Sequence, residues 1–362
     1  MTRPLWRIPF VLCAIVSLVW GVWLGLLRIG WALPLPRSDQ LILHGPLMIG
    51  GFLGTLIGLE RAVGLGRAWP YAAPAASGAG ALLLVFGPPE YAAGALLITL
   101  ASLIVCAVFA TLVYWHADAP SMTMLVASTA WATGNVLWTA GVTISRLVFW
   151  WMAFLVLTIA GERLELNRLL KPTRWVRGSF VAAIVLVLAG VATIAAAPAS
   201  GVRLTGGGFV ALTVWLSLND VARRTVRRPG VTRYIAVCML TAYAWLGAAG
   251  IIALVSGVSD TGFVHDALLH AIFLGFAMTM VFGHAPIVFP AIARRPMPFS
   301  GAFYAPYALL QGSVVVRVAA DLVDDLARYR SWGGLLNALA LLLFVVTVLS
   351  SVGRGVRVSL SS

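Results

Sequence analysis

The chain alternates long apolar runs with short polar breaks. Read against those breaks, the runs predict helices near residues 8–30, 41–62, 68–87, 91–115, 122–141, 144–161, 178–197, 204–221, 233–256, 263–285, 301–320 and 332–352. A bilayer crossing takes ~20 apolar residues, and the runs have that scale. The separation of the third run from the fourth rests on one break, Gly87-Pro88-Pro89-Glu90; without it every later span would reverse its direction. The pattern predicts an all-α polytopic membrane protein of about twelve transmembrane helices in one bundle, a single integral membrane domain over 1–362.

Composition sharpens this picture by exclusion. With 61% apolar and 10% charged residues, the chain is far from a soluble domain, in which about a quarter of residues are charged. Twelve spans leave only short loops. Cys13, Cys106 and Cys238 sit in separate apolar runs, which signals neither a disulfide framework nor a thiolate metal site.

The net charge of +13 would suggest nucleic acid in a soluble chain, but its distribution follows membrane topology, and no nucleic-acid partner is expected. With the N-terminus in the cytoplasm, the inner segments hold Arg3, Arg7, Arg61, Arg67, Arg163, Arg168, Lys171, Arg174, Arg177, Arg223, Arg224, Arg227, Arg228, Arg233, Arg294, Arg295, Arg354 and Arg357, eighteen of the twenty-five basic residues. Asp39, Glu90, Asp260, Asp321, Asp324 and Asp325 gather outside. That is the positive-inside asymmetry of a bacterial-type inner membrane, with both termini cytoplasmic. The first span is too long for a signal-peptide core and no A-x-A site follows it, so it is expected to be retained.

Two span ends resemble each other: Thr55-Leu56-Ile57-Gly58-Leu59-Glu60-Arg61 and, four spans on, Thr158-Ile159-Ala160-Gly161-Glu162-Arg163. Four spans further, the tenth closes with Gly283-His284. A grouping into three four-helix units is one reading; chance likeness of helix ends is the other.

The five histidines are the natural candidates for metal ligation, since a polar side chain in hydrocarbon usually points into the bundle. The predicted topology places His44 and His265 just below the outer face, His270 about a turn deeper, and His116 and His284 at the inner face. On a helix, Met48, Gly51, Thr55 and Gly58 fall within ~40° of His44. Such a small face admits the edge of a flat macrocycle, or equally close helix packing through Gly50, Gly54 and Gly58. In the tenth span, His270 shares a face with Asp266, whereas His265 is rotated ~140° away. Asp266, one turn before His270, is placed to accept a hydrogen bond from one ring nitrogen and leave the other as the stronger ligand; as a first-turn acid it also suits the helix dipole.

The second and tenth spans run in the same direction, so His44 and His270 lie within about two turns of one depth. Two such histidines are what a bis-imidazole haem needs, with His265 and His284 as secondary metal candidates. Arg317 near the outer end of the eleventh span is placed to meet haem propionates or to pair with Asp321 one turn on. A second polar set, Glu60, Glu162, Asp220 and His284, collects at inner span ends and suits either a proton path or pairing with Arg61, Arg163 and Arg223. No G-x-x-x-x-G-K-[ST], H-E-x-x-H, C-x-x-C-H or G-x-S-x-G occurs, so neither nucleotide-driven transport nor covalent haem attachment is signalled.

His44-Gly45-Pro46-Leu47-Met48 with Gly51-Phe52-Leu53-Gly54, and Ala267-Leu268-Leu269-His270 with Leu274-Gly275-Phe276, Met280, Gly283 and His284, resemble the NnrS-type membrane proteins. Those are distantly similar to the catalytic subunit of haem-copper oxidases. The resemblance implies twelve helices, a non-covalent haem of b type held by His44 and His270, an arginine such as Arg317 on the propionates, copper, and a link to nitric oxide. Spans six and seven lack the copper-binding histidines of the oxidases, so no copper ligands are evident and a binuclear centre is not expected. The expected function is electron transfer or nitric-oxide-related sensing or protection, with the bilayer, a redox partner or a small gaseous ligand as partners. The alternative is a secondary transporter or permease using the inner Glu/His set.

Overall fold

The computed structural model describes residues 5–166, 173–257 and 260–361, with side chains through Val352. Arg3, Arg168 and Lys171, counted above among the inner basic residues, lie outside the described residues, as do the side chains of Arg354 and Arg357. Among the described residues, twelve long helical segments stand where the apolar runs placed them. They are α1 Ile8–Arg28, α2 Ser38–Leu65, α3 Trp69–Phe86, α4 Ala92–Trp115, α5 Ala119–Thr139, α6 Ile144–Leu166, α7 Arg174–Thr193, α8 Pro198–Asn219, α9 Val231–Ser256, α10 Phe263–Ala293, α11 Tyr304–Leu322 and α12 Arg330–Ser361. Among the described residues there is no strand.

The protein is an all-α, multi-pass membrane protein. Ten of the helices are long and apolar enough to cross a bilayer, against an expectation of about twelve; α5 and α11 fall short. The reason lies in their side chains. α5 buries Ser121, Thr123, Ser128 and Asn135, and α11 carries Gln311, Arg317 and Asp321 within nineteen residues.

Local chemistry sets the helix ends. The Asp118 carboxylate accepts from the Ser121 backbone N–H at 2.8 Å and starts α5, with Pro120 in its first turn. Gly66 (φ 68°) and Gly257 (φ 62°) take the left-handed conformation that closes α2 and α9. The break between α3 and α4 is present and tied down. Gly87 is extended, its carbonyl accepts from Arg37 Nη1 at 2.8 Å, and the Tyr91 hydroxyl donates to Asp39. Tyr91 holds a left-handed φ of 50° there, and burial together with the Asp39 bond pushes its phenol above the ordinary value.

The packing divides the chain into two compact units, Met1–Phe154 with Ala291–Arg294, and Leu155–Pro290 with Arg295–Ser362. Lipid removes the hydrophobic drive between helices, so close approach of backbones matters more. In the first unit α3 and α4 meet through Gly80 and Gly94, where a Cβ on either would lie 2.7–2.9 Å from the other's carbonyl oxygen. In the second, α8 and α9 meet the same way through Gly206 and Gly250, at 2.6–2.9 Å. Trp131 stacks on Phe154 at 4.8 Å in the first unit and Phe282 on Phe344 at 3.8 Å in the second.

Neither α2 nor α10 is a plain α-helix. Each contains eight residues in π conformation, Leu47–Gly54 in α2 and Ala271–Met278 in α10. His44 precedes the first stretch by three residues and His270 immediately precedes the second. Such wide turns are rare and frequently lie at functional sites.

Candidate functional site

The second unit concentrates charged side chains where α10 begins. Asp266 lies in the first turn of α10 and His270 one turn later. The ring Nδ1 of His270 is 2.9 Å from the Asp266 backbone oxygen and 3.2 Å from Asp266 Oδ2. Both neighbours are acceptors, which assigns the proton to Nδ1 and leaves the lone pair on Nε2.

Asp266 in turn accepts from Arg317 Nη2 of α11. Arg317 is 3% exposed. Its Nη1 donates to the Arg330 carbonyl at 3.1 Å and its Nε lies 3.3 Å from Asp321 Oδ2. Arg330, at the start of α12, donates from Nε to Asp321 Oδ1 at 2.6 Å and from Nη2 to the Ala320 carbonyl at 3.0 Å, and its guanidinium lies 3.4 Å from the Phe263 ring centroid. Gly333 lets α12 close onto this point, since a Cβ there would stand 2.9 Å from the Arg317 backbone. Both sequence readings of Arg317 therefore meet a fuller picture: it does pair with Asp321, and it also braces Asp266.

One ligand atom each from Asp266, His270 and Asp321 lie within 4.8 Å of one another, a spacing a cation would accept. The charges argue otherwise. The two carboxylates already face two guanidiniums, and an added cation would compete with Arg317 and Arg330 for them.

The remaining candidates are placed as follows. His265 is buried at 6% exposed, on another face of α10 from His270. His284 donates from Nδ1 to the Met280 carbonyl at 2.8 Å and accepts at Nε2 from Arg163 Nη2 at 2.9 Å, so both ring nitrogens are engaged. Asp220, 3% exposed, accepts from the Tyr243 hydroxyl at 2.9 Å and the Ala222 N–H at 2.6 Å, closing the end of α8. In the first unit Glu60 is 3.4 Å from Arg61 Nη2, and His116 is exposed just beyond α4.

His44 belongs to the first unit. Its Nδ1 is 2.7 Å from the Gly21 carbonyl of α1, an acceptor, so again the proton sits on Nδ1. Gly25 makes room for the ring: a Cβ there would be 2.9 Å from His44 Cε1. Neighbouring helices approach closely at Gly51 of the small face below His44 and at Gly50 and Gly54 beside it. A Cβ on Gly50 would meet Ile98 at 2.8 Å, on Gly51 Ser17 at 2.7 Å, and on Gly54 Trp131 at 2.6 Å.

Sequence reasoning missed Arg330 and the π turns. A signal for the turns was present: Gly51-Phe52-Leu53-Gly54-Thr55 and Gly275-Phe276-Ala277-Met278-Thr279 occupy the same register in the two stretches. No curated protein matches the chain. Residues 7–353 match the domain of unknown function DUF8744, and the chain belongs to that family.

Proposed function

We propose that this multi-pass protein binds a non-covalent haem of b type, with His270 as an axial ligand, and serves electron transfer or nitric-oxide-related sensing or protection. The observation that carries the reading is the Asp266–His270 contact. A carboxylate on Nδ1 fixes the imidazole tautomer and raises the basicity of Nε2, the arrangement that accompanies metal-ligating histidines. When bound, haem supplies a one-electron couple and an iron that takes small gaseous ligands.

The chain's own groups have defined tasks in this reading. Asp266 orients His270, and Arg317 holds Asp266 in place. The inner Glu/His set favours transport less, because His284 and Asp220 are each occupied by buried partners. The same proposal puts the protein in a bacterial-type inner membrane with both termini cytoplasmic, on the charge asymmetry of its loops. The test is the oxidised and reduced optical spectrum of the detergent-purified protein and of His270→Ala: a haem spectrum lost or altered in the variant supports the reading, and haem-free wild type or an unchanged spectrum in the variant overturns it.

A further inference from the structure

The π turn of α10 is bound to its neighbours by a chain of three side chains. Trp245 of α9 donates from Nε1 to Gln311 Oε1 at 2.8 Å, and Gln311 of α11 donates from Nε2 to Thr279 Oγ1 at 2.8 Å. Tryptophan only donates, so the orientation of the Gln311 amide is set by the network. Thr279 is fully buried and its hydroxyl also reaches the Leu274 carbonyl, five residues back, at 3.4 Å. The indole of Trp245 lies against the turn itself, where a Cβ on Gly275 would be 2.5 Å from the ring.

The first unit shows what this chain is not needed for. There the equivalent stretch has the same Gly-Phe-x-x-Thr register and a tryptophan against a glycine, with Trp131 at 2.6 Å from a Cβ on Gly54. Yet Thr55 and the Trp131 indole N–H, both fully buried, have no hydrogen-bond partner among the described residues. The wide turn forms without the link. What the link adds in the second unit is a tie between α10 and α11, the two helices that carry Asp266 and Arg317.

We infer that Gln311, with Trp245 and Thr279, is a positioning group for His270: it fixes the register of α10 against α11 so that Arg317 meets Asp266 and Asp266 meets the ring. Gln311 and Arg317 are six residues apart on α11, about 9 Å of rise, and a slip between the two helices breaks the Asp266–Arg317 contact before it disturbs either helix. The Gln311 amide bonds to Trp245 and to Thr279, nine residues beyond His270, so its effect passes through the register of α10 and Asp266. The inference rests on the haem reading for its purpose, and on the hydrogen bonds alone for its geometry.

The experiment uses the full chain with Gln311→Met, which keeps volume and removes both interhelical bonds, and the pair Thr279→Val and Thr279→Ser. Two readouts are taken: amide hydrogen exchange over residues 263–270 in haem-free protein, and the ferric electron paramagnetic resonance signature with Soret occupancy in haem-loaded protein. Gln311→Met and Thr279→Val are expected to speed exchange over 263–270 about tenfold and to shift the ferric signature at nearly full occupancy, while Thr279→Ser stays like wild type. Should Gln311→Met fail to fold, the threonine pair decides the same question. Wild-type exchange in both Gln311→Met and Thr279→Val overturns the inference. If wild type takes up no haem, the haem reading fails and the exchange arm still decides whether the link sets the register.

Discussion

His270 Nδ1 lies 3.2 Å from Asp266 Oδ2, one helical turn away, and the same oxygen accepts from the buried guanidinium of Arg317. The imidazole is thus oriented by a carboxylate that is itself fixed.

Asp266→Asn keeps the shape of the side chain and removes its charge. Outer partners of ligating histidines typically contribute 10–100-fold in affinity, so haem retention is expected to fall about that much, with a raised midpoint potential because the imidazole becomes a weaker donor. Spectroscopic titration of Asp266→Asn beside wild type measures both.

Arg317→Ala leaves Asp266 and Asp321 without a shared, buried partner. Removing one member of a buried ion network costs ~3–5 kcal/mol, whereas Arg328→Ala, an exposed side chain whose guanidinium lies 4.9 Å from the Tyr329 ring centroid, is expected to cost ~0.5–1 kcal/mol. Thermal unfolding in detergent should separate the two variants clearly. Equal melting temperatures would mean that the network around Arg317 contributes no more than a surface pair.

The double variant Asp266→Leu/Arg317→Met replaces both charges by apolar side chains. It is expected to be more stable than Arg317→Ala alone, since neither charge is left unpaired. A double variant less stable than Arg317→Ala would show that the two side chains do not act as a pair.

Gly54→Ala sets a Cβ at 2.6 Å from Trp131, and Gly64→Ala, at the far end of the same helix, meets nothing within 4 Å. The first is expected to lose ~1–3 kcal/mol by overpacking and the second to gain ~0.5–1 kcal/mol from helix propensity. Comparison of their melting temperatures checks the close packing of α2.

Helix order and the His270–Asp266 pairing were legible because both depend on spacing along one helix. Arg317 was legible as a residue at the level of His270 from the direction of its span. Arg330 was not, because its place depends on how the short segment after α11 turns back, which apolar periodicity does not encode. The small face under His44 admitted two readings for a physical reason: Gly51, which would clear a macrocycle, is also what lets Ser17 approach. The π stretches escaped a 3.6-residue template, which cannot register a wide turn, although the repeated Gly-Phe-x-x-Thr marked both. Apolar length alone also overcounted the strongly apolar spans, because α5 and α11 spend part of theirs on buried polar contacts.

The central claim is that His270, oriented by Asp266, ligates haem. Its most direct test is the reduced-minus-oxidised optical spectrum of detergent-purified wild type and His270→Ala at matched protein concentration. The account predicts a b-type haem spectrum in wild type that is lost or altered when His270 is replaced. A wild-type protein without haem, or a His270→Ala protein with an unchanged Soret band, would contradict it.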